Sequence, residues 1–362
     1  MATTRDIDRN LVGTIGDLAS AGLPLEQFFQ QLTTVLRPAL GFDAGCWHGA
    51  DPVTGLLTST VAEGLAPDGF EVAAELELWS VDPTRFEGIR RAGRLADTIS
   101  RSTGGQPERS VRYRELLVHH GWGDELRINL DAHGGRWGAA ALMRADDQPP
   151  FGERELRLAQ RAARVIAGAL SRYALPEPAV EPGPITPAVV VIASSGRLAA
   201  ADPGAQALLA ELSEQAELPA GLPTVMTCVA EWARHNAVSS RQQAPSWARL
   251  RRPGGEWLAV HASLLDGRAD GNVVVVAQPA SPTQIIPLTL MALRLSPREQ
   301  EVALHAVRGK STREIAAGLF LTPATVQDHL KSVFTKTGVR SRRELVALLL
   351  APQAETVTRP PV

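Results

Sequence analysis

Gln327, Asp328 and Lys331 are spaced so that one face of a helix would carry all three, together with Ala324 and Thr335. At 3.6 residues per turn, Val326, Leu330, Val333 and Phe334 fall on the opposite face and pack inward. A Gln amide can pair with adenine N6 and N7, and an Asp carboxylate can accept from cytosine N4. Lys331 and, one turn on, Lys336 suit bases or phosphates. Taken alone, such a stripe is an ordinary solvated helical face, so its meaning depends on the elements around it.

Other residues invite chemistry. Cys46-Trp47-His48 sits in a strand-like run, and alternation puts Cys46 and His48 on one side. No second ligand pair at metal spacing follows, so core or pocket lining is favoured over a metal or haem site. Trp47, Trp79, Trp122 and Trp137 crowd one region of a chain that is 5% aromatic. They read as core or, alternatively, as a stacking surface in an apolar ligand pocket. Cys228, in TVMTCVAEW, reads as core. The chain has no phosphate-cradling G-x-x-x-x-G-K-[ST], no G-x-G-x-x-G after a strand, no G-x-S-x-G and no H-E-x-x-H. No catalytic set and no metal site emerge, no enzymatic activity is expected, and no cofactor is specified.

The frame that would position the polar stripe is legible from Leu293 to Leu350. Ser296 precedes Glu299, Ser311 precedes Glu314 and Ser341 precedes Glu344, each by three residues. In such a capping box the Ser hydroxyl takes a free helix N–H while the Glu reaches back to the cap. A further helix starts at Thr322, with Pro323 at its first position, where the missing N–H costs nothing. Gly309 and Gly338 follow the first and third helices as left-handed caps. Four short helices with a short GLFLTPAT turn between the second and third make a helix-turn-helix layout, in which the later helix enters the DNA major groove.

This segment resembles the DNA-binding domain of LuxR-type bacterial transcription regulators. The resemblance rests on L-S-P-R-E-x-E-V (Leu295 to Val302), G-x-S-x-x-E-I-A (Gly309 to Ala316), T-V-x-x-H (Thr325 to His329) and K-x-G-V-x-S-R-x-E-L (Lys336 to Leu345). It implies base reading by Gln327, Asp328 and Lys331, within a DNA-binding set of Thr325, Gln327, Asp328, Lys331, Lys336 and Arg342. It also implies pairing of two copies through the last helix, with Leu345 and Leu349 as dimerisation residues. Many relatives carry Lys directly after T-V; this chain has Gln327, which alters the expected operator rather than the role.

Charge agrees. Residues 291–350 hold ten Lys/Arg against five acids, whereas the whole chain is −2. A basic module on an acidic body is the electrostatic footprint of nucleic-acid binding. The chain's only lysines, Lys310, Lys331 and Lys336, all lie in this module. A length of 362 residues suggests roughly two to three domains. The N-terminus has no apolar signal-peptide core, no apolar run approaches a membrane span, and the two cysteines are far apart. A soluble, cytoplasmic bacterial protein without disulfides is expected.

Upstream, Leu11 to Leu36 is helical in pattern, with Pro38 and Gly41 ending it. Phe42 to Gly49 and LLTSTVA read as a hairpin, Ser110 to Gly121 as a helix, and 125–146 as two strands turning at Ala132-His133-Gly134-Gly135. Phe151 to Leu175 is a long amphipathic helix. This α+β pattern resembles a GAF domain over residues 8–174, which implies a small-ligand pocket beneath the sheet. A proline-rich linker spans 175–187. Residues 188–280 resemble a PAS-like domain: a strand pair, a helix, a hairpin turned at Pro253-Gly254-Gly255 and a buried strand. Residues 281–292 read as a linker, 293–350 as the all-α four-helix DNA-binding module, and 351–362 as a tail.

The expected protein is a one-component DNA-binding transcriptional regulator whose sensory region answers a small-molecule effector or a partner. The alternative is a protein-interaction and dimerisation switch with no small ligand. Expected partners are double-stranded DNA, a second copy of the chain and, for an activator, RNA polymerase, with no membrane and with nucleoid association when DNA-bound.

Overall fold

The computed structural model describes residues 4–66, 69–175, 186–213, 222–238, 245–252 and 255–350. Most of the 175–187 linker, the turn residues Pro253 and Gly254, and the 351–362 tail lie outside the described residues. No helix among the described residues is long and apolar enough to cross a membrane.

The first unit is built on a five-stranded antiparallel sheet in the order β2-β1-β5-β4-β3. Its strands are β1 (Ala44–Ala50), β2 (Leu57–Glu63), β3 (Ala96–Thr98), β4 (Trp122–Ala132) and β5 (Gly135–Ala145). Three helices cover one face: α1 (Thr4–Ser20), α2 (Leu25–Leu40) and α6 (Glu153–Arg172). The expected single helix over 11–36 is two. Gly22 turns at φ 65°, and Pro24 precedes the first residue of α2. Pro38 does not end α2; the stop is Gly41, left-handed at φ 65°, whose N–H bonds to Arg37 O at 2.8 Å. Alternation sorts β4: Leu126, Ile128 and Leu130 join the helix-covered core, while Glu125, Arg127 and Asn129 face the other way. Over that second face lie α3 (Gly69–Trp79), α4 (Phe86–Arg91), the short α5 (Ile99–Ser102) and a tightly wound stretch. The helix expected over 110–121 is that stretch, a wide turn at Tyr113–Leu117 and a 3-10 turn at Val118–His120, ended by Gly121 at φ 73°.

The second unit repeats the strand order. Its sheet runs β7-β6-β10-β9-β8, all antiparallel. The strands are β6 (Ala188–Ile192), β7 (Leu198–Ala201), β8 (Trp247–Arg251), β9 (Trp257–Leu264) and β10 (Val273–Pro279). Helices α7 (Pro203–Ser213) and α8 (Thr224–Val238) join Val190, Val260 and Val275 in one apolar core. Cys228 is buried on α8, but it lies outside this core cluster, on the side of the helix that lines a cavity.

Residues 281–292, expected as a linker, form a helix, α9 (Pro282–Ala292). Ser281 caps it, its N–H donating to Gln284 Oε1 at 2.8 Å. α9 is buried on two sides. Leu288, Met291 and Ala292 belong to the first unit's core, whereas Ile286 and Leu290 belong to the core of the C-terminal module. A helix apolar all round is one buried all round.

The C-terminal module is four helices: α10 (Pro297–Val307), α11 (Thr312–Leu319), α12 (Pro323–Thr337) and α13 (Arg342–Leu350). The capping boxes close. Glu299 accepts from the Ser296 N–H and Glu314 from the Ser311 N–H, each at 2.7 Å. At α13 Glu344 reaches one residue further back, to the Arg340 N–H at 2.9 Å. Thr322 Oγ1 accepts from Thr325 N at 3.1 Å, and Gly309 and Gly338 are left-handed after α10 and α12.

Candidate nucleic-acid interface and sensory cavity

Val326, Leu330 and Val333 are buried and Phe334 is packed against the module's core, which fixes the rotation of α12. Ala324, Gln327, Asp328, Lys331 and Thr335 are therefore all exposed. The side chains of Gln327, Asp328 and Lys331 make no hydrogen bond or ion pair among the described residues, so their polar groups are free to meet a ligand. Gln327, Lys331, Thr335 and Arg342 line one shallow groove of about 420 Å³. Thr325 is half-buried, and its hydroxyl lies 2.8 Å from the Thr322 hydroxyl at the helix start.

Two members of the expected DNA-binding set are engaged inside the module. Lys336 Nζ donates to Glu299 Oε2 at 2.7 Å, and Ser332 Oγ donates to Glu299 Oε1 at 2.6 Å. Burial pushes the Glu299 carboxyl up, but the hydrogen bonds from Lys336, Ser332 and Ser296 outweigh it and hold it at about 2. Arg342 donates to Lys310 O at 2.6 Å and to Thr312 Oγ1 at 2.9 Å, pinning the start of α13 to the start of α11. Arg308, Arg313, Arg340 and Arg343 are exposed cations outside the expected set. Only their net charge is visible in sequence, because pairing depends on what the fold brings near.

The residues expected at a dimer interface pack inside the module. Leu345 and Leu349 are 0% and 2% exposed, packed in one cluster with Ile286, Leu290, Leu295 and Val333. They hold α13 to α9 and α12 in this arrangement of the chain. The exposed residues of α13 are Arg343, Glu344 and Ala347.

A cavity of about 1520 Å³ lies over the second face of the first sheet. Its floor includes Cys46 and His48 from β1, Arg127 from β4, and Ala141 and Met143 from β5. α3 and α4 supply walls, and Thr224, Cys228, Trp232 and His235 of α8 close one side, so the second unit completes it. Trp79 and Trp122 line the cavity, Trp79 standing 4.5 Å from the His235 ring. Trp47 and Trp137 do not. Trp47 sits beneath the helices, stacked on Phe29 and donating to Thr33 Oγ1 at 2.9 Å. Strict alternation would aim Trp137 at the cavity with Ala139 and Ala141. A register shift between Leu130 and Asp131 turns it to the helix-covered core and Arg136 to the cavity instead.

Charged groups under the cavity are extensively paired. Arg112 holds Glu125 with two hydrogen bonds, 2.7 and 2.9 Å, and burial of this pair is offset by its own attraction, which leaves Glu125 lowered and Arg112 raised. Cys46 and His48 share a side as alternation predicts, Sγ to Nε2 3.2 Å. No cluster of three or more His, Cys, Asp or Glu placed to hold a metal ion occurs among the described residues.

Comparison with known proteins bears on the C-terminal module. Residues 293–349 match the family model for bacterial regulatory proteins of the luxR family, GerE. The spore germination protein GerE of Bacillus subtilis is 41% identical over 56 residues, which are 16% of this chain and 76% of that protein. The "Probable HTH-type transcriptional regulator GfsR" of Streptomyces halstedii is 41% identical over 66 residues, 18% of this chain. The chain spans only 27% of that regulator's length. Among solved structures, SdiA in complex with octanoyl-rac-glycerol aligns over 99% of this chain and 100% of that one, at 11% identity and a TM-score of 0.34. Through its C-terminal module, the chain belongs to the luxR family of bacterial regulatory proteins.

Proposed function

We propose that the chain is a sequence-specific DNA-binding transcriptional regulator, with α12 as the helix that enters the major groove. The observation that carries this is the exposed, unpaired stripe of Gln327, Asp328 and Lys331 on a helix whose other face is locked in a core. Membership of the luxR family supports the same reading. Gln327 and Asp328 offer the amide and carboxylate that read adenine and cytosine edges, and Lys331 with the exposed arginines offers phosphate contacts.

The two N-terminal units are the sensory part in this reading, GAF-like over 8–174 and PAS-like over 188–280. Their shared strand order and the open cavity between them support that assignment. The cavity also favours a small-ligand sensor over a protein-interaction switch with a filled interior. A ligand modulates DNA binding only through its different affinity for two arrangements of the chain, typically about 1–3 kcal/mol of coupling.

The test is selection of a binding sequence from random duplex DNA by the full chain, then titration of that duplex at several salt concentrations. Specific binding that weakens steeply as salt rises, through counterion release, is expected. Failure to enrich any sequence, or a flat salt response, would remove the DNA-binding reading and leave the interaction switch.

A further inference from the structure

The floor of the cavity is one-sided in its hydrogen bonding. Thr224 Oγ1, at the start of α8, donates to Thr60 Oγ1 at 2.9 Å. The Thr60 hydroxyl can then give its own proton to His48 Nδ1, also 2.9 Å away. A neutral imidazole that accepts at Nδ1 carries its proton on Nε2, which lies 3.2 Å from Cys46 Sγ. Burial first, then the Arg127 and Arg112 charges, hold His48 neutral with its value down at about 3. Burial, with Glu125 adding to it, keeps the Cys46 thiol protonated, pushed up to about 12.

Across the sheet, Cys46 stands opposite Ala141, and Ala141 opposite Arg127. Neighbouring strands are about 4.8 Å apart, so the Cys46 and Arg127 backbones are about 10 Å apart with only a methyl group between them. Arg127 is 1% exposed, donates from Nη2 to Glu77 at 2.5 Å, and lies 3.8 Å over the Phe86 ring. Its Nη1 is 3.6 Å from Glu125 without a hydrogen bond, and its Nε is likewise unsatisfied. Arg112, by contrast, is fully engaged, by Glu125 through Nε and Nη2 and by the Ala73 carbonyl through Nη1. The walls around this gap, Phe86, Leu116, Met143 and Trp122, are apolar.

Around Ala141 the unsatisfied polar atoms are the Nε and Nη1 donors of Arg127, and a buried donor without a partner is costly. We propose that the cavity takes an apolar small molecule whose head group is a hydrogen-bond acceptor with no donor of its own, a carbonyl or a carboxylate, seated over Ala141 between Arg127 and the Cys46–His48 pair. This rests on reading the first unit as the ligand-binding part. At this seat a cationic head would face a guanidinium and an imidazole N–H and is disfavoured, although carboxylates line other parts of the cavity. Because the His48–Thr60–Thr224 chain ends on α8, an acceptor seated at His48 also bears on the second unit.

Three probes share one apolar body and differ in head group: phenylacetate, methyl phenylacetate and phenethylamine. Binding to the full chain is followed by calorimetry and by tryptophan fluorescence, since Trp79 and Trp122 line the cavity. One of the two acceptor probes is expected to bind at least about tenfold more tightly than the amine, and which one does so decides between carboxylate and carbonyl. Arg127→Lys should weaken that probe about tenfold, the loss of one charge-assisted hydrogen bond. Should Arg127→Lys fail to fold, Ala141→Val fills the seat with Arg127 intact and is expected to weaken it similarly. Equal binding of the amine, unchanged affinity in a folded variant, or no binding of any probe at millimolar concentration overturns the proposal. DNA binding of the same preparations is measured alongside: probe failure with operator binding intact rejects the ligand class alone, and the reverse rejects the regulator reading alone.

Discussion

Lys331 and Lys336 lie on the same helix, carry the same charge and differ in what they can do. Lys331 is exposed and unpaired, whereas Lys336 is tied to the buried Glu299 carboxylate at 2.7 Å. Lys331→Ala is therefore expected to weaken operator binding by about 1–3 kcal/mol while leaving the melting temperature unchanged. Lys336→Ala should do the opposite, lowering the melting temperature with little effect on affinity in the folded protein; anisotropy titration and calorimetry on both variants separate the roles. Glu299 adds a pH signature. Its folded-state value of about 2 lies below the ordinary 4.5, so it stabilises the fold fully above about pH 4.5 and loses that stabilisation as pH falls towards 2. Glu299→Gln should cost about 2 kcal/mol at pH 7. The gap in melting temperature between wild type and variant should then close across that acid window. A gap independent of pH would mean that Glu299 acts through packing alone.

At the scale of elements, the turn between α11 and α12 holds a strained residue. Phe320 is left-handed at φ 55° and 96% exposed, so its ring stabilises nothing by burial. A non-glycine residue pays roughly 1 kcal/mol for that conformation. Phe320→Gly is expected to raise the module's stability by about 1 kcal/mol in denaturant titration, less the added freedom of glycine in the unfolded chain. If operator affinity falls at the same time, the exposed ring touches DNA or a partner. The elements of this module were legible because each start carries local chemistry: Ser296, Ser311, Thr322 and Ser341 place four helices without reference to the rest of the fold. α9 carries a start signal of the same kind, Ser281 three residues before Gln284 with Pro282 at the first position, but Pro287 interrupts the segment and an all-round apolar run has no period to reveal it. Its two sides become meaningful only once two cores flank it. Trp137 shows the same limit within a strand, where one register shift, invisible in the alternation of residues, turned it away from the cavity. Lys336 and Arg342 were readable as cations, but their internal pairing was not, because their partners are 30 to 37 positions away.

Across the whole molecule the three parts meet at one buried ion pair. Asp51, at the end of β1's hairpin, takes Arg249 of β8 in two side-chain hydrogen bonds of 2.7 Å and takes the Arg249 N–H at 2.8 Å. The remaining guanidinium nitrogen donates to Gln284 O on α9, the helix that continues into the C-terminal module. Both side chains are essentially unexposed. Burying such a pair yields little net stability, but removing one partner leaves an uncompensated charge, at a cost of about 3–5 kcal/mol. Arg249→Met should therefore destabilise the chain by about that much, and Asp51→Asn combined with Arg249→Met should recover part of it. The Gln284 carbonyl loses its partner in both variants, so amide hydrogen exchange in the first turns of α9 should quicken in both. That second readout separates a local packing defect from a joint between units. Recovery of stability without recovery of α9 protection marks Arg249 as the clasp between the two N-terminal units and the C-terminal module, while unchanged exchange in α9 would reduce the pair to a contact between the first two units.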